Sequence, residues 1–134
     1  MRPGIEPRYI LDASAVLAYL AQEPGYEQVR EALEARAAIS AVNLAEVYSK
    51  LVARGFHLEP VASRLPALGL LSEPFGEIDA RLVAELYPQT QPLGLSLGDR
   101  ACLSLARRLS LPVLTTDRMW LNLAGQVGDI RVIR

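Results

Sequence analysis

Three aspartates, Asp12, Asp99 and Asp117, stand where a carboxylate could meet a ligand. Asp12 closes the buried-looking strand Tyr9-Ile10-Leu11, and Asp117 repeats that pattern after Val113-Leu114-Thr115-Thr116. Both have a structural role open to them. Asp12 could cap the helix that follows, and Asp117 could cap or turn the chain ahead of Met119-Trp120-Leu121. Ser14 is also placed to cap the first helix, which leaves Asp12 available for a ligand. Asp99 follows Ser96 at the spacing of a capping box. It also shares a helical face with Cys102, Leu103 and Ala106, where no Lys or Arg is present to pair with it. Its carboxylate is therefore expected on the buried side, where a cation would relieve its cost. Glu46, by pattern alone, reads as a surface residue paired with Lys50 four positions on.

Carboxylates gathered in a dry pocket cannot all stay ionised without a counter-charge; either their pKa values rise or a divalent cation neutralises them. His57 is the only histidine and Cys102 the only cysteine. That excludes a His-rich metal site, a thiolate zinc cluster and an intramolecular disulfide. An oxygen-only donor set favours Mg2+ or Mn2+. Such a site suits phosphodiester hydrolysis. The hydroxyls of Ser14 and Thr115 could position a water or a phosphate oxygen, or serve only as cap and strand-end groups.

The elements that must carry these residues alternate along the chain. Strands are predicted at 9–11, 37–39, 112–115 and 130–133. Helices are predicted at 15–20, 27–36, 42–54, 77–87 and 96–109, with a further helix over 58–71 kinked near Pro66 and a loop at 89–94. This is the pattern of an α/β fold with a central, mostly parallel sheet covered on both faces. Ligands bind such sheets beyond the carboxyl ends of the strands, so Asp12 and Asp117 converge if their strands are neighbours. With 134 residues, 51% hydrophobic and 22% charged, a single domain spanning 1–134 is expected. Fourteen basic against fifteen acidic side chains exclude binding through a strongly basic surface. Met1–Arg8 lacks the apolar run of a signal peptide and no stretch is long enough to span a bilayer, so a soluble cytoplasmic protein is expected.

Four segments in order, Ile10–Val16, Asn43–Val47, Leu95–Cys102 and Leu114–Trp120, resemble the motifs of the PIN-domain family. The likeness runs from about Tyr9 to Arg134 and is nearest to the VapC-type toxins of bacterial VapBC toxin–antitoxin systems. It implies a three-layer α/β/α fold and an endoribonuclease dependent on magnesium or manganese. It also implies a homodimer inhibited by a VapB-type antitoxin protein. The family's acidic quartet falls on Asp12, Glu46, Asp99 and Asp117, with Ser14, Asn43 and Thr115 in supporting positions. For Glu46, the resemblance stands against the surface reading drawn from its pattern.

Arg100, Arg107, Arg108 and Arg118 lie near the later aspartates and could meet RNA phosphates, although a solvated helix face explains Arg107 and Arg108 as well. Cys102 reads as a small buried hydrophobe, and Trp120 and Tyr19 as core or interface. The apolar stretch 58–71 could serve core, dimer or antitoxin. The rival class is a non-catalytic α/β protein-binding module whose acidic pocket receives a basic partner side chain. A phospho-acceptor receiver domain also gathers aspartates at strand ends, but it needs a lysine closing a late strand, and Lys50 falls on a helix.

Overall fold

Parallel strands require crossover connections, and this chain supplies helices for them. The computed structural model describes residues 6–123 and 127–134. The reading of Met1–Arg8 therefore rests partly on residues 1–5, which lie outside the described residues. Among these residues five strands form one sheet: β1 (Tyr9–Leu11), β2 (Ala37–Ser40), β3 (Leu70–Glu73), β4 (Val113–Thr115) and β5 (Ile130–Val132). Their spatial order is β3-β2-β1-β4-β5, and every pairing is parallel.

Among the described residues seven α-helices connect them: α1 (Ala13–Leu20), α2 (Tyr26–Glu34), α3 (Ala41–Ala53), α4 (Leu58–Ala67), α5 (Glu77–Glu85), α6 (Tyr87–Thr90) and α7 (Leu97–Leu109). Short 3-10 turns follow at Gln91–Leu93 and Arg118–Leu123. No helix among the described residues is long and apolar enough to cross a membrane.

The two-residue period of a strand sorts the core into two layers. Leu11, Ile39 and Leu114 pack against Val16, Val29, Leu33, Val47 and Leu65 on one face. Ile10, Ala38 and Val113, each the preceding residue, pack on the other face with Cys102, Leu103, Leu105 and Trp120. The result is the expected three-layer α/β/α arrangement. The chain runs outward from β1 through β2 to β3, then returns to place β4 on the other side of β1. The strand order thus reverses between β1 and β4, and it is beyond the carboxyl ends at such a reversal that parallel sheets bind ligands. Register pairs Ile10 with Val113 and Leu11 with Leu114, so Asp12 emerges level with Thr115.

Two expectations need correction. The helix predicted over 58–71 stops at Ala67, with Pro66 in its last turn, and Leu70–Glu73 is an edge strand. Gly69 makes the turn between them at φ +104°, and any side chain there would collide with the Leu33 carbonyl. The loop predicted at 89–94 is instead α6 and its 3-10 continuation, closed by Gly94 at φ +69°.

Candidate functional site

Asp12 stands at the reversal point, at the end of β1. It is both the last residue before α1 and its N-cap, its Oδ1 accepting from the Ala15 N–H at 2.8 Å. Ser14, expected to cap, instead donates its hydroxyl to the same Oδ1 at 2.7 Å and accepts from Thr116 N–H at 3.1 Å. Thr115 donates to Asp12 Oδ2 at 2.5 Å across the β1–β4 seam. The carboxylate is 6% exposed, and burial raises its pKa from 3.8 to about 6. The bonds from Thr115, Ser14 and Ala15 pull in the opposite direction, and the nearby charge of Asp99 adds to the rise. Ion pairs among the described residues go to other acids: Arg30–Glu34, Arg108–Asp79, Arg131–Asp129 and Arg134–Glu23. Among the described residues Asp12 is thus a buried carboxylate held by neutral donors alone.

Asp99 completes the capping box anticipated from its spacing. Its Oδ2 accepts from Ser96 N–H at 2.9 Å, and its own N–H donates to Ser96 Oγ at 3.1 Å. The side chain is half-buried rather than fully turned into the core, because the cap holds it at the first turn of α7. Its charge nevertheless reaches inward. One turn on, the fully buried Cys102 thiol is pushed well above its usual range, first by burial and then by the charges of Asp12, Asp99 and Glu46. Three of the four predicted acids therefore act on one interior point.

Glu46 is exposed on α3, but not as half of a surface ion pair. Its Oε1 accepts from the Asn43 amide at 2.8 Å, and the same Nδ2 donates to the Gly98 carbonyl at 2.9 Å. No Glu46–Lys50 pair forms among the described residues. The surface-pair pattern is overridden because Asn43, one turn earlier and 2% exposed, ties α3 to the start of α7. Sequence reasoning passed over Gly98, and the only signal for it was a glycine in the first turn of a helix, just before Asp99.

Asp117 follows β4 as expected. Its backbone N–H donates to Thr115 Oγ1 at 3.1 Å, which links it to Asp12 through one hydroxyl. Its own Oδ1 accepts from Met119 N–H at 2.9 Å, so the carboxylate begins the 3-10 turn. The turn reading is thereby realised for Asp117. Among the described residues no three His, Cys, Asp or Glu side chains form a ready cage for a metal ion. The donor chemistry nonetheless fits a hard divalent cation: oxygen atoms only, one of them buried without a counter-charge, and like charges within reach of each other.

The arginines suggested for RNA are mostly engaged elsewhere. Arg100 donates to Val83 O at 3.1 Å and lies 5.2 Å from the Tyr87 ring centre. Arg108 pairs with the buried Asp79, and Arg118 donates to Arg134 O. Away from the acids, a cavity of about 470 Å³ is lined by Tyr19, Tyr26, Phe56 and Leu65, with Arg30 and Arg64 among its walls.

The PIN domain family model matches residues 9–126 of this chain. No curated protein matches it by sequence. Among solved structures, the chain is similar to one from a toxin–antitoxin complex of Klebsiella pneumoniae, with a TM-score of 0.71 at 18% identity over 94% of this chain and 98% of that one. It is similar to a chain of VapBC2 from Rickettsia felis bound to a promoter DNA fragment, with a TM-score of 0.69 at 20% identity over 94% and 98%. A third is Mycobacterium tuberculosis VapC20, a Sarcin-Ricin loop cleaving toxin, with a TM-score of 0.67 at 16% identity over 87% and 95%. At these identities the likeness is one of fold.

Proposed function

The chain belongs to the PIN-domain family, and we propose that it is a VapC-type endoribonuclease toxin, dependent on magnesium or manganese and restrained by a VapB-type antitoxin. The observation that carries this reading is Asp12, a buried carboxylate held by neutral donors at the reversal point of a parallel sheet, with Asp99 within electrostatic reach and Glu46 joining both in acting on the Cys102 thiol. Asp12, Asp99, Glu46 and Asp117 would hold the ion. A divalent cation there supplies Lewis acidity to the phosphoryl oxygen and to the attacking water.

The remaining work belongs to the chain's own groups. Thr115 fixes Asp12 Oδ2 and, through the Asp117 N–H, sets the turn that carries Asp117. Ser14 fixes Asp12 Oδ1 and the backbone at Thr116, so the two strand ends keep a constant separation. Asn43 holds Glu46 against α7. Together they keep like charges near one another before any counter-ion arrives, the preorganisation that electrostatic catalysis needs. The cavity beside α1, α2 and α4, apolar with two arginines, suits an antitoxin segment that combines apolar and acidic side chains. The expected homodimer belongs to the same reading.

One observation favours the rival reading, an acidic pocket that receives a basic partner side chain. Asp99 and Asp117 already spend carboxylate oxygens on helix and turn starts, and no three acids form a finished cage among the described residues. The two readings separate in one experiment. Purified protein is incubated with a panel of RNAs in manganese or EDTA, as wild type and as Asp12→Asn. Cleavage that requires manganese and vanishes in the variant supports the nuclease. Equal cleavage by both proteins identifies a contaminant and removes that support. Absence of cleavage together with capture of an arginine-bearing peptide supports the binding module.

A further inference from the structure

The first turn of α7 runs close beneath the Glu46 side chain. A methyl group built on Gly98 would stand 2.6 Å from Glu46 Oε1, 3.0 Å from Cδ and 3.1 Å from Oε2. The carboxylate occupies the space that a side chain at position 98 would fill. Gly98 lies in ordinary helical backbone, where alanine is the better helix former. Conformational freedom therefore does not account for the glycine, whereas room for a carboxylate does.

Asn43 closes the arrangement from α3. A single buried Nδ2 gives one bond to Glu46 Oε1 and one to the Gly98 carbonyl, so the amide grips both the carboxylate and the backbone beneath it. A glutamate exposed on a helix otherwise samples many rotamers. Here one rotamer is selected by a donor on one side and a missing side chain on the other.

We propose that Gly98 is a positioning residue: its absent side chain is the seat of the Glu46 carboxylate, locked by Asn43 within reach of the cation that Asp12 and Asp99 would share. The inference rests on the reading of Glu46 as a metal ligand. It assigns position 98 a role through Glu46, not through the fold.

The test compares wild type, Gly98→Ala and Glu46→Gln in three measurements: manganese binding followed by the EPR signal of the free ion, melting temperature in EDTA, and RNA cleavage against manganese concentration. For Gly98→Ala the metal-free melting temperature is expected to hold or rise, while manganese affinity falls about tenfold or more, the usual cost of losing a ligand's support. Half-maximal cleavage should shift to correspondingly higher manganese. A purely structural glycine would give the opposite pattern, a lowered melting temperature with unchanged affinity. Glu46→Gln should lose at least as much affinity as Gly98→Ala.

Wild-type affinity in Gly98→Ala beside a loss in Glu46→Gln overturns the inference and leaves the role of Glu46 standing. Wild-type affinity in Glu46→Gln, or no manganese binding by the wild type, overturns that role and the inference with it. Should Gly98→Ala fail to fold, the Glu46→Asp background decides, because the shorter carboxylate clears the added methyl. Equal affinity with and without Gly98→Ala in that background supports the proposal, and a further tenfold loss overturns it.

Discussion

Replacing Asp12 with asparagine in metal-free protein is expected to stabilise the fold at neutral pH. The Asp12 carboxyl titrates near 6 in the folded protein against 3.8 in an open chain, because burial penalises its charge. The native state therefore keeps this proton to higher pH than the unfolded chain does. Stability falls as pH rises from about 4 to about 6 and stays reduced above that. With roughly 1.4 kcal/mol for each pKa unit, ionised Asp12 costs the fold about 3 kcal/mol at neutral pH. Asparagine removes that cost and keeps an acceptor for Ala15 N–H and Ser14. It also presents an N–H group to Thr115, whose hydroxyl already accepts from Asp117. Losing that bond offsets about 1 kcal/mol, which leaves a gain of about 2 kcal/mol, or about 7 °C in Tm for a domain of this size. Thermal melts of both proteins in EDTA between about pH 4 and pH 8 provide the measurement. At the acid end the order should reverse slightly, since only the lost bond remains. Saturating manganese should restore the wild type's advantage by about 3 kcal/mol at a hundredfold excess over Kd. A difference between the two proteins that does not change with pH would refute the argument.

Glu46→Gln should abolish RNA cleavage in manganese while Glu77→Gln, on the first turn of α5, leaves the rate unchanged, as initial rates on one substrate will show. Thr115→Val removes the donor to Asp12 and the acceptor for Asp117 N–H together. It should cost about 1–3 kcal/mol in urea melts and lower cleavage as well. Asp79→Ala deprives Arg108 and the Gly76 N–H of their shared acceptor. Arg108 is one-third exposed, so water compensates in part and the loss should be about 1–2 kcal/mol, with cleavage below the melting temperature unaffected.

The central strands were legible because β1, β2 and β4 are short, nearly unbroken apolar runs, as buried parallel strands must be. β3 was not, because an edge strand needs fewer apolar positions. Leu70 is buried, whereas Leu71 and Glu73 are half-buried and Ser72 is exposed, and nothing in their order breaks the preceding helical pattern. The capping box at Asp99 was visible as spacing, but how far its charge reaches depends on β1 lying beside α7. For Asp12 the sequence offered two caps, and tertiary contact chose between them: the Ser14 hydroxyl is drawn to Thr116, which follows a strand far along the chain. Glu46 was readable only through resemblance. The Asn43 amide that diverts it from Lys50 works by bridging to α7, a partner that periodicity within α3 cannot reveal.

The bond joining Asp12 to Thr115 spans 103 positions, and the bridge from Asn43 to Gly98 spans 55. During synthesis, then, Asp12 and Glu46 emerge well before the groups that hold them. A nascent or prematurely terminated chain carries Asp12 and Glu46 without the groups that hold them. The seam and the bridge thereby make the placing of both acids a property of the assembled sheet rather than of the segments that carry them.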